Sequence, residues 1–285
     1  MEARAIEHSN DIDALRERVA RARELGDNAV LAQQLVRYGL ALAMAGDPTE
    51  ARAVAKEGLL LQRQIGNVHG QAEAMSTLGR IYLSVELLDQ AEQIFARVLE
   101  LYRAVEDRRN IVVTLARLAQ LRRDMGKFTS ARGTYVEALE AARRVGDRDL
   151  TARVQSSAAA LYREVGEGRR ALRLLEEARA AQRDDPKVES ETMARMAAIL
   201  QDEGDLAGAL TLLQEARSMQ LAAGRDVAAA RTLSRLAHLQ YHRGELEVAW
   251  SQFEEAEQEQ LRLKDRRGLT RTRVGLALVY VAEGD

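Results

Sequence analysis

The 285-residue chain contains no cysteine. That absence removes disulfides, thiolate metal sites and a cysteine nucleophile together, and it leaves the redox compartment unconstrained. Proline occurs twice and aromatic residues make up 4% of the chain, a composition suited to helices. Lysine is nearly missing: of 42 basic residues only Lys56, Lys127, Lys187 and Lys264 are lysine, the rest arginine. Arginine and alanine codons are GC-rich, so the composition points to a GC-rich bacterial genome. Neither sign of charge dominates, and the formal net charge of −2 argues against a generic nucleic-acid binder or a strongly basic membrane-surface protein. No stretch approaches the roughly 18 consecutive apolar residues of a membrane span. The N-terminus, MEARAIEHSN, lacks a basic region followed by an apolar run. No signal peptide is therefore visible, and a cytoplasmic location is expected.

What is present is repetition. Hydrophobic residues make up 46% of the chain and charged residues 30%, and they recur in register. Gly46, Glu86, Gly126, Gly166, Gly204, Gly244 and Gly284 are spaced by 40 residues, except for 38 between Gly166 and Gly204. Halfway between them run Gly26, Gly66, Glu106, Gly146, Asp184, Gly224 and Lys264. A break every 20 residues, with helical apolar spacing between, predicts helices joined by tight turns. In Asp47-Pro48-Thr49-Glu50 the aspartate can cap, the proline suits the first helical position and the glutamate can reach back. Asp185-Pro186 repeats the signal. The two missing residues fall just before it, so the helix starting near Glu167 should be about half a turn short.

Gly79 lies mid-helix in STLGRIYLSVELLDQAEQIF, where glycine costs about 1 kcal/mol relative to alanine. Its column explains it: Gly39, Gly79, Ala119, Ala159, Ala197, Ala237 and Ala277 are all small. Twelve residues later stand Ala51, Ala91, Ala131, Ala171, Ala209 and Ala249. Four further on the column is bulky in Phe95, Tyr135, Leu175, Leu213 and Phe253, with Ala55 the exception. Small residues facing small residues let antiparallel helices approach closely, while the bulky side chain fills the gap to the next pair. The expected fold is all-α, a solenoid of antiparallel helix pairs.

This pattern resembles the tetratricopeptide repeat family, whose first helix carries Leu-Gly with Tyr three residues after the glycine. Leu78-Gly79 and Tyr82 match it, and Tyr38-Gly39, Leu118-Ala119, Leu236-Ala237 and Leu276-Ala277 follow it loosely. The resemblance spans roughly residues 28 to 285. It departs from the usual pattern in its 40-residue period, shared with the family's longer-helix subclass and with HEAT-type repeats, and in having Trp250 as its only tryptophan. The small-residue columns favour the tetratricopeptide reading. The resemblance implies a right-handed superhelix: residues 1–27 as an N-terminal helix (about 10 to 25), residues 28–265 as six helix pairs, and residues 266–285 as an unpaired first-type helix.

Signs of chemistry are few. His238 and His242 share a helix face, but no third metal ligand can be named and Leu239-Gln240-Tyr241 between them is not a zinc-hydrolase pattern, so both read as surface histidines. His8 and His69 complete the histidines. GEGRR at 166–170 lacks phosphate-loop spacing, and Ser156 and Ser157 have no paired base in the sequence. Glu176-Glu177 and Glu254-Glu255 read as solvated faces of second-type helices. Neither enzyme activity nor a metal or cofactor is expected.

The resemblance implies that first-type helices line a concave groove, reached by side chains six and two before the small column and one before or after it. Those positions supply Arg37, Arg80, Arg117, Arg153, Arg195, Arg231, Arg235, His238 and Arg271 as candidate ligand-binding residues. Arg231, Arg235 and His238 fall on one helix stripe, and arginine's planar fork suits carboxylates and phosphates. Glu73, Asp124, Glu164, Glu191 and Asp202 lie on the same helices and could neutralise them, which leaves an ordinary mixed-charge face as the alternative. The family's asparagine clamp for a peptide carboxylate is not matched, because Asn10, Asn28, Asn67 and Asn110 all lie at or near helix starts or turns. The expected function is a protein- or peptide-binding scaffold, with a ligand that is acidic on the first reading. The alternative is a sensory segment of a bacterial regulator that binds a small anion or a signalling peptide. Val274, Leu276, Leu278, Val279, Tyr280 and Val281 crowd the last helix, which is expected either to be continued by a longer chain or to self-associate.

Overall fold

The computed structural model describes residues 2–182 and 185–284, with side chains described from residue 12 onward. The expectations for Asp184 and the Asp285 end of the last turn lie outside the described residues, and those for His8 and Asn10 fall on side chains outside the described ones. Fourteen α-helices make up the described fold, which holds no strand among those residues. No helix among them is long and apolar enough to cross a membrane.

The chain divides into two compact units, residues 1–146 and 147–285. In the first, α1 (Glu2–Leu25) precedes the pairs α2 (Asn28–Ala45) with α3 (Pro48–Gln64), α4 (Val68–Ser84) with α5 (Leu88–Ala104), and α6 (Arg108–Asp124) with α7 (Phe128–Val145). The second holds α8 (Arg148–Glu164) with α9 (Gly168–Ala181), α10 (Pro186–Asp202) with α11 (Leu206–Ala222), α12 (Asp226–His242) with α13 (Leu246–Arg262), and α14 (Arg266–Glu283). Helix α1 begins well before the residue 10 expected from sequence. Helix α9 has 14 residues where α8 and α10 have 17, the shortening that the 38-residue interval predicts.

The turns are built on left-handed residues. The described breaks have positive φ, from Gly26 at 68° to Gly284 at 85°, including the non-glycines Glu86 (59°), Glu106 (53°) and Lys264 (57°). Caps follow: Asp47 Oδ1 accepts the Glu50 amide at 3.0 Å, and Asp185 Oδ1 accepts the Lys187 amide at 2.9 Å. Glu50 does not reach back as expected, because its carboxylate accepts the Tyr38 hydroxyl at 2.9 Å.

The small columns form the core. Ala51, Ala91, Ala131, Ala171, Ala209 and Ala249 are wholly buried, as are Phe95, Tyr135 and Phe253 of the bulky column. A Cβ on Gly79 would lie 2.8 Å from Phe95 Cζ, so glycine is retained where the partner helix passes closest. Gly39 meets the Ala51 carbonyl in the same way, at 3.1 Å. Within a pair, then, side chains opposite the small column are the ones left free to face outward. Ala277 of α14 is exposed, unlike every other member of its column.

Candidate functional site

In the second unit the first-type helices are α8, α10, α12 and α14, and they carry Arg153, Arg195, Arg231 with Arg235 and His238, and Arg271. Positions six and two before the small column lie one helical turn apart, on one face of the helix. Arg231, Arg235 and Arg271 line one cavity of 790 Å³ together with Arg267. Arg153 and Arg195 line a neighbouring cavity of 700 Å³ in the company of Asp149 and Glu191.

These arginines are not equivalent. Arg231 is held by Asp265, the residue that precedes α14, through two bonds of 2.6 Å. Asp265 is buried, and the Arg231 guanidinium holds its carboxyl below the usual range. Arg235 lies half-buried and donates from Nη2 to the Ala194 carbonyl of α10 at 3.0 Å. Burial lowers its pKa, and the positive charges of Arg271 and Arg163 lower it further. Arg271 is exposed and has no carboxylate partner among the described residues.

His238 corrects the surface reading given to it. Its ring stands edge-on to Phe253 with centroids 4.8 Å apart, and its Nε2 is buried without a hydrogen-bond partner among the described residues. Burial depresses its pKa, and Arg271 and His242 add to the effect. The physical reason is the bulky column: Phe253 reaches past Ala237 into the stripe. The same ring buries Gly275, removing that position from any outward face. Among the described residues no three His, Cys, Asp or Glu side chains gather as metal ligands.

The first unit presents a related arrangement. Arg117 of α6 donates to Ser76 Oγ of α4 at 3.1 Å, and its guanidinium lies 5.6 Å from the centroid of the Phe95 ring. Burial lowers its pKa, with the neighbouring charge of Arg80 as the next cause. Arg37 is exposed on α2. Arg117 and Arg235 reach back over the same 41-residue separation, so one repeat position makes the same crossing in each unit.

Four of the acidic residues on these helices take partners outside this set. Glu191 pairs with Arg225 at 3.1 Å, Asp202 with Arg163 at 2.5 Å, and Asp124 with Arg123 at 2.7 Å. Glu73 comes within 4.0 Å of His69. The sequence reading missed Asp265 as the partner of Arg231 and Arg267 as a cavity residue. A signal existed for the first: Arg231 and Asp265 are 34 residues apart, the same separation as Glu191 and Arg225.

A tetratricopeptide repeat family model matches residues 30–104 and 110–184. No curated protein sequence matches the chain. Among solved structures, BtubC (BKLC) from P. vanneervenii is similar at 21% identity and a TM-score of 0.69, over 76% of this chain and 92% of that one. A Signal Transduction ATPase with Numerous Domains protein with a tetratricopeptide repeat sensor, from Pyrococcus horikoshii, is 16% identical with a TM-score of 0.71. That match covers 87% of this chain but 39% of the other. A Rap protein complexed with Competence and Sporulation Factor is 13% identical with a TM-score of 0.58, over 95% and 85% of the two chains. At these identities the likenesses are likenesses of fold.

Proposed function

Because the chain belongs to the tetratricopeptide repeat family, we propose that it is a protein- or peptide-binding scaffold that works through its first-type helices and takes an acidic ligand. The carrying observation is the pairing of charges. Arg195, Arg235 and Arg271 stand on three first-type helices of one unit, and no carboxylate pairs with them among the described residues. Pre-stacked helices hold such groups at fixed spacing, so the ordering penalty of association falls mainly on the ligand. The fold likeness to a Rap protein complexed with Competence and Sporulation Factor supports a binding role.

A peptide array at low and high salt tests this. Acidic peptides should bind and weaken as salt rises, because exposed charge attraction is screened. Arg195→Gln with Arg271→Gln should weaken them further while helicity stays intact. Equal binding of basic peptides, or binding indifferent to salt, would overturn the acidic assignment.

A second reading is favoured by the Pyrococcus horikoshii likeness: a sensor segment of a larger regulator, binding a small anion or a signalling peptide. Small-anion thermal shifts without peptide binding would select it. Self-association, in our reading, runs through α14, where Val274, Leu278, Tyr280 and Val281 are exposed. Light scattering across a concentration series should show a mass that falls in Leu278→Glu with Val281→Glu, and a strict monomer would refute it.

A further inference from the structure

The cavity against α12 and α14 can be assigned a more specific ligand than an acidic one. Five arginines and two carboxylates line its 790 Å³. Arg225 is paired with Glu191 at 3.1 Å, and Arg231 is held by Asp265 from outside the lining. Arg235, Arg267 and Arg271 then remain without a carboxylate partner among the described residues, against the single unpaired carboxylate of Asp226. Two positive charges are left over. We infer that Arg235 and Arg271, with Arg267, form a subsite for a dianionic phosphoryl group, preferred over a single carboxylate. The inference rests on the reading of the first-type helix faces as the ligand surface.

Three features support it. Arg235 spends one of its five donors on the Ala194 carbonyl, which fixes the guanidinium and leaves the others to the cavity. The lining hydroxyls are buried and engaged with the protein: Thr232 donates to Gln220 Oε1 at 2.8 Å, and Ser234 Oγ accepts from Thr272 Oγ1 at 2.9 Å. Discrimination therefore falls to charge, and the arginine fork presents paired donors matched to phosphate oxygens. Burial of Arg235 beside Arg271 and Arg163 disfavours its charged form, a penalty that a bound dianion would relieve. Val227, Ala228 and Leu263 give the cavity apolar walls for whatever carries the phosphoryl group.

The test uses the whole chain. Inorganic phosphate and acetate, at matched ionic strength and a pH where phosphate is largely dianionic, are titrated against thermal stability and by calorimetry. Phosphate should bind at least about tenfold more tightly than acetate. Arg271→Gln, at an exposed position, should remove most of that preference without unfolding the protein; Arg235→Gln should do the same wherever circular dichroism shows it folded. Arg153→Gln, in the other cavity, should leave it intact. A phosphoserine peptide, its serine and glutamate counterparts, and free phosphoserine then identify the source. Tighter binding of the phosphopeptide than of free phosphoserine marks a protein ligand, and parity marks a small phosphate ester. Equal affinity for phosphate and acetate, or a preference that survives Arg271→Gln, overturns the subsite. If acidic peptides still bind in that event, the scaffold reading stands alone; if phosphate binds and no peptide does, the subsite stands and the peptide reading falls.

Discussion

Gly79 and Gly133 are both helical glycines, yet changing each to alanine should move stability in opposite directions. Gly133 sits exposed in α7 with nothing within 4 Å of where a Cβ would lie. Gly133→Ala should therefore gain about 1 kcal/mol from helix propensity and reduced unfolded-state entropy. At Gly79 the new methyl would meet the ring of Phe95, which is wholly buried and has nowhere to withdraw. Overpacking there should outweigh propensity and cost roughly 1–3 kcal/mol. Urea melts measure both, and adding Phe95→Leu to Gly79→Ala should recover part of the loss. Matching gains at the two sites would show that the helices do not touch at Gly79. The small column was legible because it recurs at a fixed period and a glycine inside a helix needs a reason. Which neighbour enforces each small residue was not, since Phe95 serves Gly79 while Phe253 presses on Gly275.

At the scale of the element, the described 20-residue breaks each place one residue in the left-handed region, and among the described residues three of them fill it without glycine. Glu86, Glu106 and Lys264 hold φ of 59°, 53° and 57°. A side chain there costs roughly 1–2 kcal/mol, and glycine's extra unfolded-state freedom offsets about half of any gain from removing it. Glu86→Gly, Glu106→Gly and Lys264→Gly should each stabilise by about 0.5–1 kcal/mol, whereas Gly126→Ala or Gly204→Ala should destabilise by a similar amount. Denaturant melts decide; a destabilised Lys264→Gly would mean that the lysine side chain contributes something its backbone strain hides. Helix positions and the shortened α9 could be read from sequence because glycine spacing and aspartate caps are local signals. The candidate site was legible in part. Periodicity placed Arg235 and Arg271 on facing helices, but the pairing of Arg231 with Asp265 depends on a contact between α12 and the start of α14, two helices on in the chain. The crossing of Arg117 onto Phe95 and Ser76 has the same character. Such partners are set by packing, which no single helix pattern encodes.

For the whole molecule, the two units should respond differently to alkali. The Tyr102 and Tyr135 hydroxyls are both pushed up to about 12, chiefly by burial, and both lie in residues 1–146. Tyr38, in the same unit, is also raised, first by burial. An unfolded tyrosine ionises near 10, so between about pH 10 and 12 the unfolded chain gives up protons that the folded unit retains. Stability is then complete below pH 10 and falls as pH rises through that window, by up to about 3 kcal/mol for each of Tyr102 and Tyr135. Residues 1–146 should lose protection in hydrogen exchange, and helicity with it, before residues 147–285 as alkali is added. Phenylalanine at these positions separates this cause from a general alkaline effect. The Tyr135 hydroxyl is buried without a hydrogen-bond partner among the described residues, so Tyr135→Phe should be neutral or stabilising by about 1 kcal/mol at pH 7, because it removes an unsatisfied group. With Tyr102→Phe added, the alkaline loss in residues 1–146 should shift upward in pH. An unchanged transition in that double variant would assign the alkaline loss to groups other than these tyrosines.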